Sequence, residues 1–164
     1  MVVVWKPIKP KRFQAQVFRA IIKAAMKQTG VDIKKDFEQT TATWKHKPEF
    51  DILLGIERGA EVMVSTDDEI YRWVNDGTEE HIILPVNAQA LRFREGFIPK
   101  TRPGSLISAE GASFGRVLFR AGVIHPGTEA RDFEKQIYKK WQPRFRRRME
   151  QAMKQAAKAS GHAI

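Results

Sequence analysis

Apolar positions along this 164-residue chain keep a helical rhythm near both ends and an alternating rhythm between them. Phe13, Val17, Ala20, Ile21 and Ala24 recur at helical spacing, with Phe18, Ile22 and Ala25 widening the stripe, so an amphipathic helix is predicted. It is expected to stop at Thr29-Gly30, because Gly suits the left-handed residue just past a helix. Ile33, Phe37 and Thr41 then step by four, predicting a short second helix from Asp32. Residues 41–47 change period: β-branched and aromatic side chains alternate there, which predicts a strand ended by Pro48. Residues 50–56 continue that strand or pair with it. After a turn at Arg58-Gly59, residues 61–66 alternate as the next strand. Asp67-Asp68-Glu69 then opens a helical turn carrying Ile70, Tyr71, Trp73 and Val74, with the acids at its positive end.

The middle of the chain is organised around residues 71–85. Asn75-Asp76-Gly77 is turn chemistry, and Ile82-Ile83-Leu84 before Pro85 reads as a buried or half-buried strand. Trp73 is expected to anchor this corner in the core, with Gly77 and Thr78 setting the turn. Residues 90–94 follow as a short strand. Residues 96–115, rich in Gly, Pro and Ser, are expected to form a long flexible loop. Residues 116–124 predict the last strand, closed by His125-Pro126-Gly127-Thr128. Two strands that each border a Gly-Thr turn point to one antiparallel sheet with both turns as fixed points. Phe133, Ile137, Trp141, Phe145, Met149, Ala152 and Ala156 carry the strongest periodicity and predict a long C-terminal helix, kinked at Pro143. With an extended arm over residues 1–10 and a frayed tail over 160–164, the expectation is a single α+β domain: a mostly antiparallel β-sheet packed against an N-terminal and a long C-terminal helix.

Charge changes this picture more than hydropathy does. The net charge is +10, yet residues 1–35 carry +8, residues 36–130 carry −5 and residues 131–164 carry +7. The ends are basic and the middle is acidic, which suits nucleic-acid binding by the ends or contact between the ends of one copy and the middle of another. No window approaches the ~18 consecutive apolar residues of a membrane span. The opening Met-Val-Val-Val-Trp is too short for a signal peptide, so a soluble, non-exported chain is expected. With no cysteine, disulfides and thiolate metal sites are excluded.

Candidate chemistry is sparse. Residues 111–115 satisfy G-x-S-x-G, but a nucleophile elbow places its Ser between a strand and a helix, whereas here a loop precedes and a strand follows. His46, His81, His125 and His162 lack paired ligand spacing. His81 and His125 each flank a Gly-Thr turn and could meet across the sheet, with Glu79 or Glu80 as further ligands for zinc. Asp67, Asp68 and Glu69 could hold a hard cation, although three consecutive acids point in different directions. No catalytic residue, metal site or cofactor is assigned. The basic face formed by Lys139, Lys140, Arg144, Arg146, Arg147 and Arg148 is the candidate interface or phosphate contact.

Four motifs in order carry a resemblance: Tyr71 to Thr78, His81 to Pro85, Ala90 to Phe93, and Val123 to Thr128 followed by Ala130 to Phe133. They resemble the neck or tail-completion (head-tail joining) proteins of long-tailed bacteriophages and prophages. The likeness spans about residues 60–135 and reaches the flanking helices only by pattern. It implies that Trp73, Asn75, Asp76, Gly77, Thr78, His81, Pro85, His125, Pro126, Gly127, Thr128 and Phe133 are structural. It also implies a ring-forming virion subunit without catalysis, joined to copies of itself and to adjacent head-connector and tail-tube or tail-terminator proteins. DNA passing through the channel is a further implied neighbour, and the implied location is the virion, with the host cytoplasm during assembly. Asp132 departs from the family, which often has Pro before the Phe. The alternatives are a nucleic-acid-binding protein using the basic C-terminal helix and a small metal-dependent nuclease built on Asp67 and Asp68.

Overall fold

The computed structural model describes residues 12–56 and 59–162; the predicted arm over residues 1–10, Arg58 of the predicted turn and the last two residues lie outside them. The fold is α+β. Helices α1 (Ala15–Thr40), α2 (Glu69–Asp76) and α3 (Phe133–Ala159) accompany strands β1 (Asp51–Gly55), β2 (Glu61–Ser65), β3 (His81–Ile83), β4 (Leu91–Ile98), β5 (Ala112–Arg120) and β6 (Val123–His125). The long helices pack on each other, and the β1–β2 hairpin packs against α1.

The expected break at Gly30 is absent: α1 runs through it as one helix, and the separate helix from Asp32 does not exist. A Cβ on Gly30 would lie 2.5 Å from Ile52 Cγ2, so the glycine is a notch that lets β1 press onto the helix. Mid-helix glycine costs about 1 kcal/mol, a loss offset by burying that hairpin. The helix ends instead at a pair of threonines. Thr40 Oγ1 donates to the Phe37 carbonyl, Thr41 Oγ1 to the Glu38 carbonyl, and Lys47 Nζ to the Thr41 carbonyl. Residues 41–47, expected as a strand, are therefore a turn and bend that caps α1.

The expected single sheet is three two-stranded sheets: β1–β2, β3–β6 and β4–β5, all antiparallel. The last two continue one another along a ribbon. Its base is a bridge between Thr78 and Thr128, followed by His81 opposite His125 and Ile83 opposite Val123. Pro85, lacking an N–H, follows β3, and the predicted strand 116–124 divides at Ala121-Gly122 into β5 and β6. Pairing resumes at Leu91 opposite Arg120 and runs to Ile98 opposite Ala112. The predicted loop over 96–115 is thus strand at both ends, 96–98 and 112–115, and loop over residues 99–111, which form the tip.

That tip is tied down. Ser108 Oγ accepts from the Thr43 N–H, Thr43 Oγ1 donates to the Ala109 carbonyl, and Lys100 Nζ donates to the Thr43 carbonyl. Thr101 meets Arg131, just beyond the base, so the ribbon curls until its tip touches its root. Curvature enters at a bulge where Gly115 (φ 80°) and Arg116 oppose Glu95 alone. The Phe114 ring lies across Gly96, where a Cβ would sit 2.3 Å from it.

The core is an aromatic cluster of Phe37, Phe50, Tyr71, Phe133, Ile137 and Trp141. Tyr71 is its hub, in contact with Phe37, Trp44, Phe50 and Phe133 at ring-centroid distances of 5.1–6.3 Å. Trp73, the expected anchor, is 50% exposed, whereas Tyr71 is 1% exposed. The two lie on different faces of the helix, because positions two apart cannot share one. In the segment expected to be a buried or half-buried strand, Ile83 is half-buried while Ile82 and Leu84 are exposed.

The end of α3 also differs from expectation. His162 N–H donates to the Ala157 carbonyl and Gly161 N–H to the Lys158 carbonyl, with Gly161 at φ 88°. This is a Schellman cap, and Ser160 is buried inside it. Pro143 lies within α3, which continues on both sides of it.

Among the described residues Tyr71 Oη is buried without a hydrogen-bond partner. Burial pushes the Tyr71 hydroxyl far above its ordinary range, which keeps it neutral. Tyr71→Phe removes the unsatisfied group and keeps the ring, so chemical denaturation should show stability raised by about 1 kcal/mol. Tyr71→Ala should cost about 3–5 kcal/mol.

Candidate functional site: an interlocked pair of Gly-Thr turns

Gly77-Thr78 ends α2 and Gly127-Thr128 follows β6, and the two turns clasp each other. Thr78 N–H donates to the Thr128 carbonyl and Thr128 N–H to the Thr78 carbonyl, both at 2.9 Å. Each glycine makes room for the opposite backbone. A Cβ on Gly77 (φ 80°) would lie 2.5 Å from Thr128 O, and one on Gly127 (φ 86°) would lie 2.2 Å from Thr78 O. No side chain fits either position, and the positive φ disfavours one independently. The expected turns are therefore present and are partners of each other.

The clasp delivers the chain into α3. The Arg131 and Asp132 N–H groups both donate to the Asn75 carbonyl at 3.0 Å. Asn75 is 5% exposed, and its Oδ1 accepts from the Glu134 N–H while its Nδ2 donates to Asp76 Oδ1. Asp132, the residue before α3, makes no capping bond of its own and sits at φ 51°, ψ 38°. Asn75 thus supplies from α2 the cap that α3 lacks locally. Proline cannot adopt φ 51°, so Asp132 departs from the resembled pattern in conformation as well as in residue type. Phe133, the next residue, is fully buried.

His81 and His125 do meet, with ring centroids 5.0 Å apart. Each is tied to nearby backbone: His81 Nδ1 to the Glu79 carbonyl, and His125 Nδ1 as acceptor of the Gly127 N–H. Among the described residues no group of three or more His, Asp and Glu is placed to hold a metal ion. Pro85 is half-buried and Pro126 is exposed. Ser113 lies within β5 opposite Phe97, without the strand-turn-helix setting of a nucleophile elbow. Of the three consecutive acids, Asp68 is the N-cap of α2, accepting the Tyr71 N–H at 2.7 Å and pairing with His46. Burial pushes the Asp68 carboxyl up, but the His46 hydrogen bond, the Tyr71 N–H, the imidazole charge and the Ile70 N–H together hold it below 3.8.

The basic face of α3 is partly neutralised inside the molecule. Lys140 pairs with Asp36 at 2.7 Å, Arg148 with Asp32 at 2.8 Å, and Arg146 with Glu150 at 3.1 Å. Trp141 Nε1 donates to Asp36 Oδ2, and Arg144 and Arg148 flank the Trp141 ring at 5.5 and 5.6 Å. Among the described residues Lys139, Arg144 and Arg147 have no acidic partner. Lys140 and Arg148 therefore fasten α3 to α1, a role the charge count does not reveal. The buried Arg131 and Thr101 were missed altogether, since their meeting depends on how the ribbon curls.

No helix among the described residues is long and apolar enough to cross a membrane. Comparison with protein-family models, with curated proteins and with solved structures finds no match to this chain.

Two outcomes test the clasp. Gly127→Ala should cost about 3 kcal/mol or more in denaturant unfolding, through left-handed strain and the Thr78 carbonyl, while Gly104→Ala at an equally positive φ but in open space should cost about 1 kcal/mol. Asp68 is the pH-sensitive element. Its lowered carboxyl contributes stability above pH 3.8 that is lost as pH falls through the folded value. Asp68→Ala should remove that acid limb and cost about 1 kcal/mol at neutral pH, whereas Asp68→Asn retains most of the cap.

Proposed function

We propose that this chain is a non-enzymatic structural subunit of a bacteriophage or prophage particle, forming a ring at the head-tail junction. The observation that carries the reading is the apolar surface of the ribbon: Ile82, Leu84, Phe97, Phe119 and Ile124 are each more than half exposed. Ile82 and Ile124 stand directly opposite each other on β3 and β6, and paired exposed apolar side chains of this kind mark a contact with another molecule. Both ribbon segments are two-stranded and leave unpaired edges, which neighbouring strands can also use. The interlocked Gly-Thr turns fall on the motifs that carry the resemblance, and they have a structural explanation that needs no catalysis.

Charge supplies an orientation. Lys139, Arg144 and Arg147 stand on α3, while exposed Asp67, Glu69, Asp76, Glu79 and Glu80 cluster along α2 and the root of the ribbon. Setting the helices of one subunit against this acidic strip of the next is a heterologous contact, which closes into a ring when the rotation fits. On this reading the neighbours are copies of itself and the adjacent head-connector and tail-tube or tail-terminator proteins, in the virion and in the host cytoplasm during assembly. DNA passes through the channel.

A second reading, nucleic-acid binding by α3, is favoured by the unpaired Arg144 and Arg147 beside Trp141. The ion pairs of Lys140 and Arg148 count against it, because those cations are already engaged.

Native mass spectrometry and sedimentation at low and high salt test the assembly. We expect closed oligomers in low salt that dissociate as salt rises, and an Ile82→Lys/Ile124→Glu double variant, whose opposite charges face each other across β3 and β6, that keeps its thermal midpoint but stays monomeric. A wild-type chain that remains monomeric at high concentration in low salt would refute self-assembly. Tight duplex binding by the monomer, with a steep salt slope, would favour the second reading.

A further inference from the structure

We propose that the open cleft beside the curling ribbon is a binding site for an organic oxyanion, a carboxylate or phosphate carried on an apolar body. The cleft, about 600 Å³ in volume, lies between α2, the root of the ribbon and its tip. Arg131 lines it and is only 7% exposed. Its Nη1 donates to the Glu129 carbonyl at 2.7 Å and its Nε to Thr101 Oγ1 at 3.4 Å. Those neutral acceptors satisfy hydrogen bonds but leave the charge uncompensated. Among the described residues no carboxylate pairs with it. A buried cation without a counter-charge is unfavourable, and an arriving anion relieves that cost.

The rest of the lining has the same bias. Lys45 and Lys100 contribute further cations, and among the described residues no Asp or Glu lines the cleft. Lys100 Nζ is held at the wall by the Thr43 carbonyl at 2.6 Å. The nearest acid in the bonding network, Asp68, is taken up by His46 and the Tyr71 N–H. Trp44, Ile70, Val74 and Phe97 supply an apolar part of the lining suited to a hydrocarbon or aromatic body. With Nε and one Nη1 hydrogen engaged, an oxyanion beside Arg131 would meet the remaining Nη donors, which lie in one plane and suit carboxylate and phosphate better than halide. The site stands on the cleft alone and holds whether or not the chain assembles into rings.

Calorimetric titration and thermal unfolding of the full chain at constant ionic strength test this, with 3-phenylpropionate, phenyl phosphate, inorganic phosphate and the neutral 3-phenylpropanamide as probes. We expect both organic anions to bind saturably at millimolar concentration and raise the melting temperature, inorganic phosphate to bind more weakly, and the amide not to bind. A preference for the carboxylate would point to an acidic side chain as the natural occupant, and a preference for the phosphate to a phosphate ester; either supports the site. Lys100→Met, at the rim, and Arg131→Lys, which keeps the charge but loses the fork, should each weaken binding about tenfold, the loss expected for one charge-assisted hydrogen bond. Absence of saturable binding by both anions, equal binding of the amide, or unchanged affinity in both variants would overturn the proposal.

Discussion

Two glycines, each with the backbone of the opposite turn in the space its own side chain would need, set the frame of this molecule. Because Thr78 and Thr128 exchange backbone hydrogen bonds over that close approach, the end of α2, the root of the ribbon and the entry to α3 are fixed relative to one another. Everything downstream inherits the alignment. Asn75 reaches the first turn of α3 only because the clasp brings α2 beside it, and Phe133 enters the core only because Asp132 turns through the left-handed region. The tight contact tolerates no Cβ, so its specificity comes from backbone geometry and needs no side-chain chemistry.

The clasp joins two regions of different physical character. On one side, α1, α3, α2 and the β1–β2 hairpin bury an aromatic cluster around Tyr71, tied by Asp32 and Asp36 of α1 to Arg148, Lys140 and Trp141 of α3. These partly buried pairs set the register of the two long helices, in contrast to the exposed Arg146–Glu150 pair, which contributes little. On the other side, the ribbon buries little of its own apolar surface and is held in shape by bulge, glycine and tip contacts. A two-stranded ribbon in water is marginal by itself. Its curvature here depends on contacts at both ends, Thr78 with Thr128 at the root and Lys100, Thr43 and Arg131 at the tip.

Much of this was legible in the residue pattern. The stripe from Phe133 to Ala156 marked α3, alternation marked β2, and the acids before Ile70 marked the start of α2. Gly77 and Gly127 stood out as turn residues, and their flanking strands were expected to pair. Other signals misled for physical reasons. Gly30 looked like a stop because glycine terminates helices by local conformation, yet its use here is a close packing approach from a strand distant in sequence. Gly96 and Gly115 looked like loop residues, although one lies beneath an aromatic ring and the other forms a bulge. Trp73 looked like the anchor because it is large, while the face of α2 that turns inward carries Tyr71.

Local periodicity and turn chemistry were sufficient for the α+β class, the positions of α2, α3 and β2, and the special status of the two Gly-Thr pairs, because those properties depend on neighbours within a few residues. The fold alone decided that the turns clasp, that Asn75 caps a helix it does not belong to, that Lys140 and Arg148 face inward, and that Arg131 lines a cleft without a carboxylate partner. Each of those outcomes brings together groups far apart in sequence. Their meeting is set by the curl of the ribbon and the packing of α3 on α1, which no short-range pattern encodes.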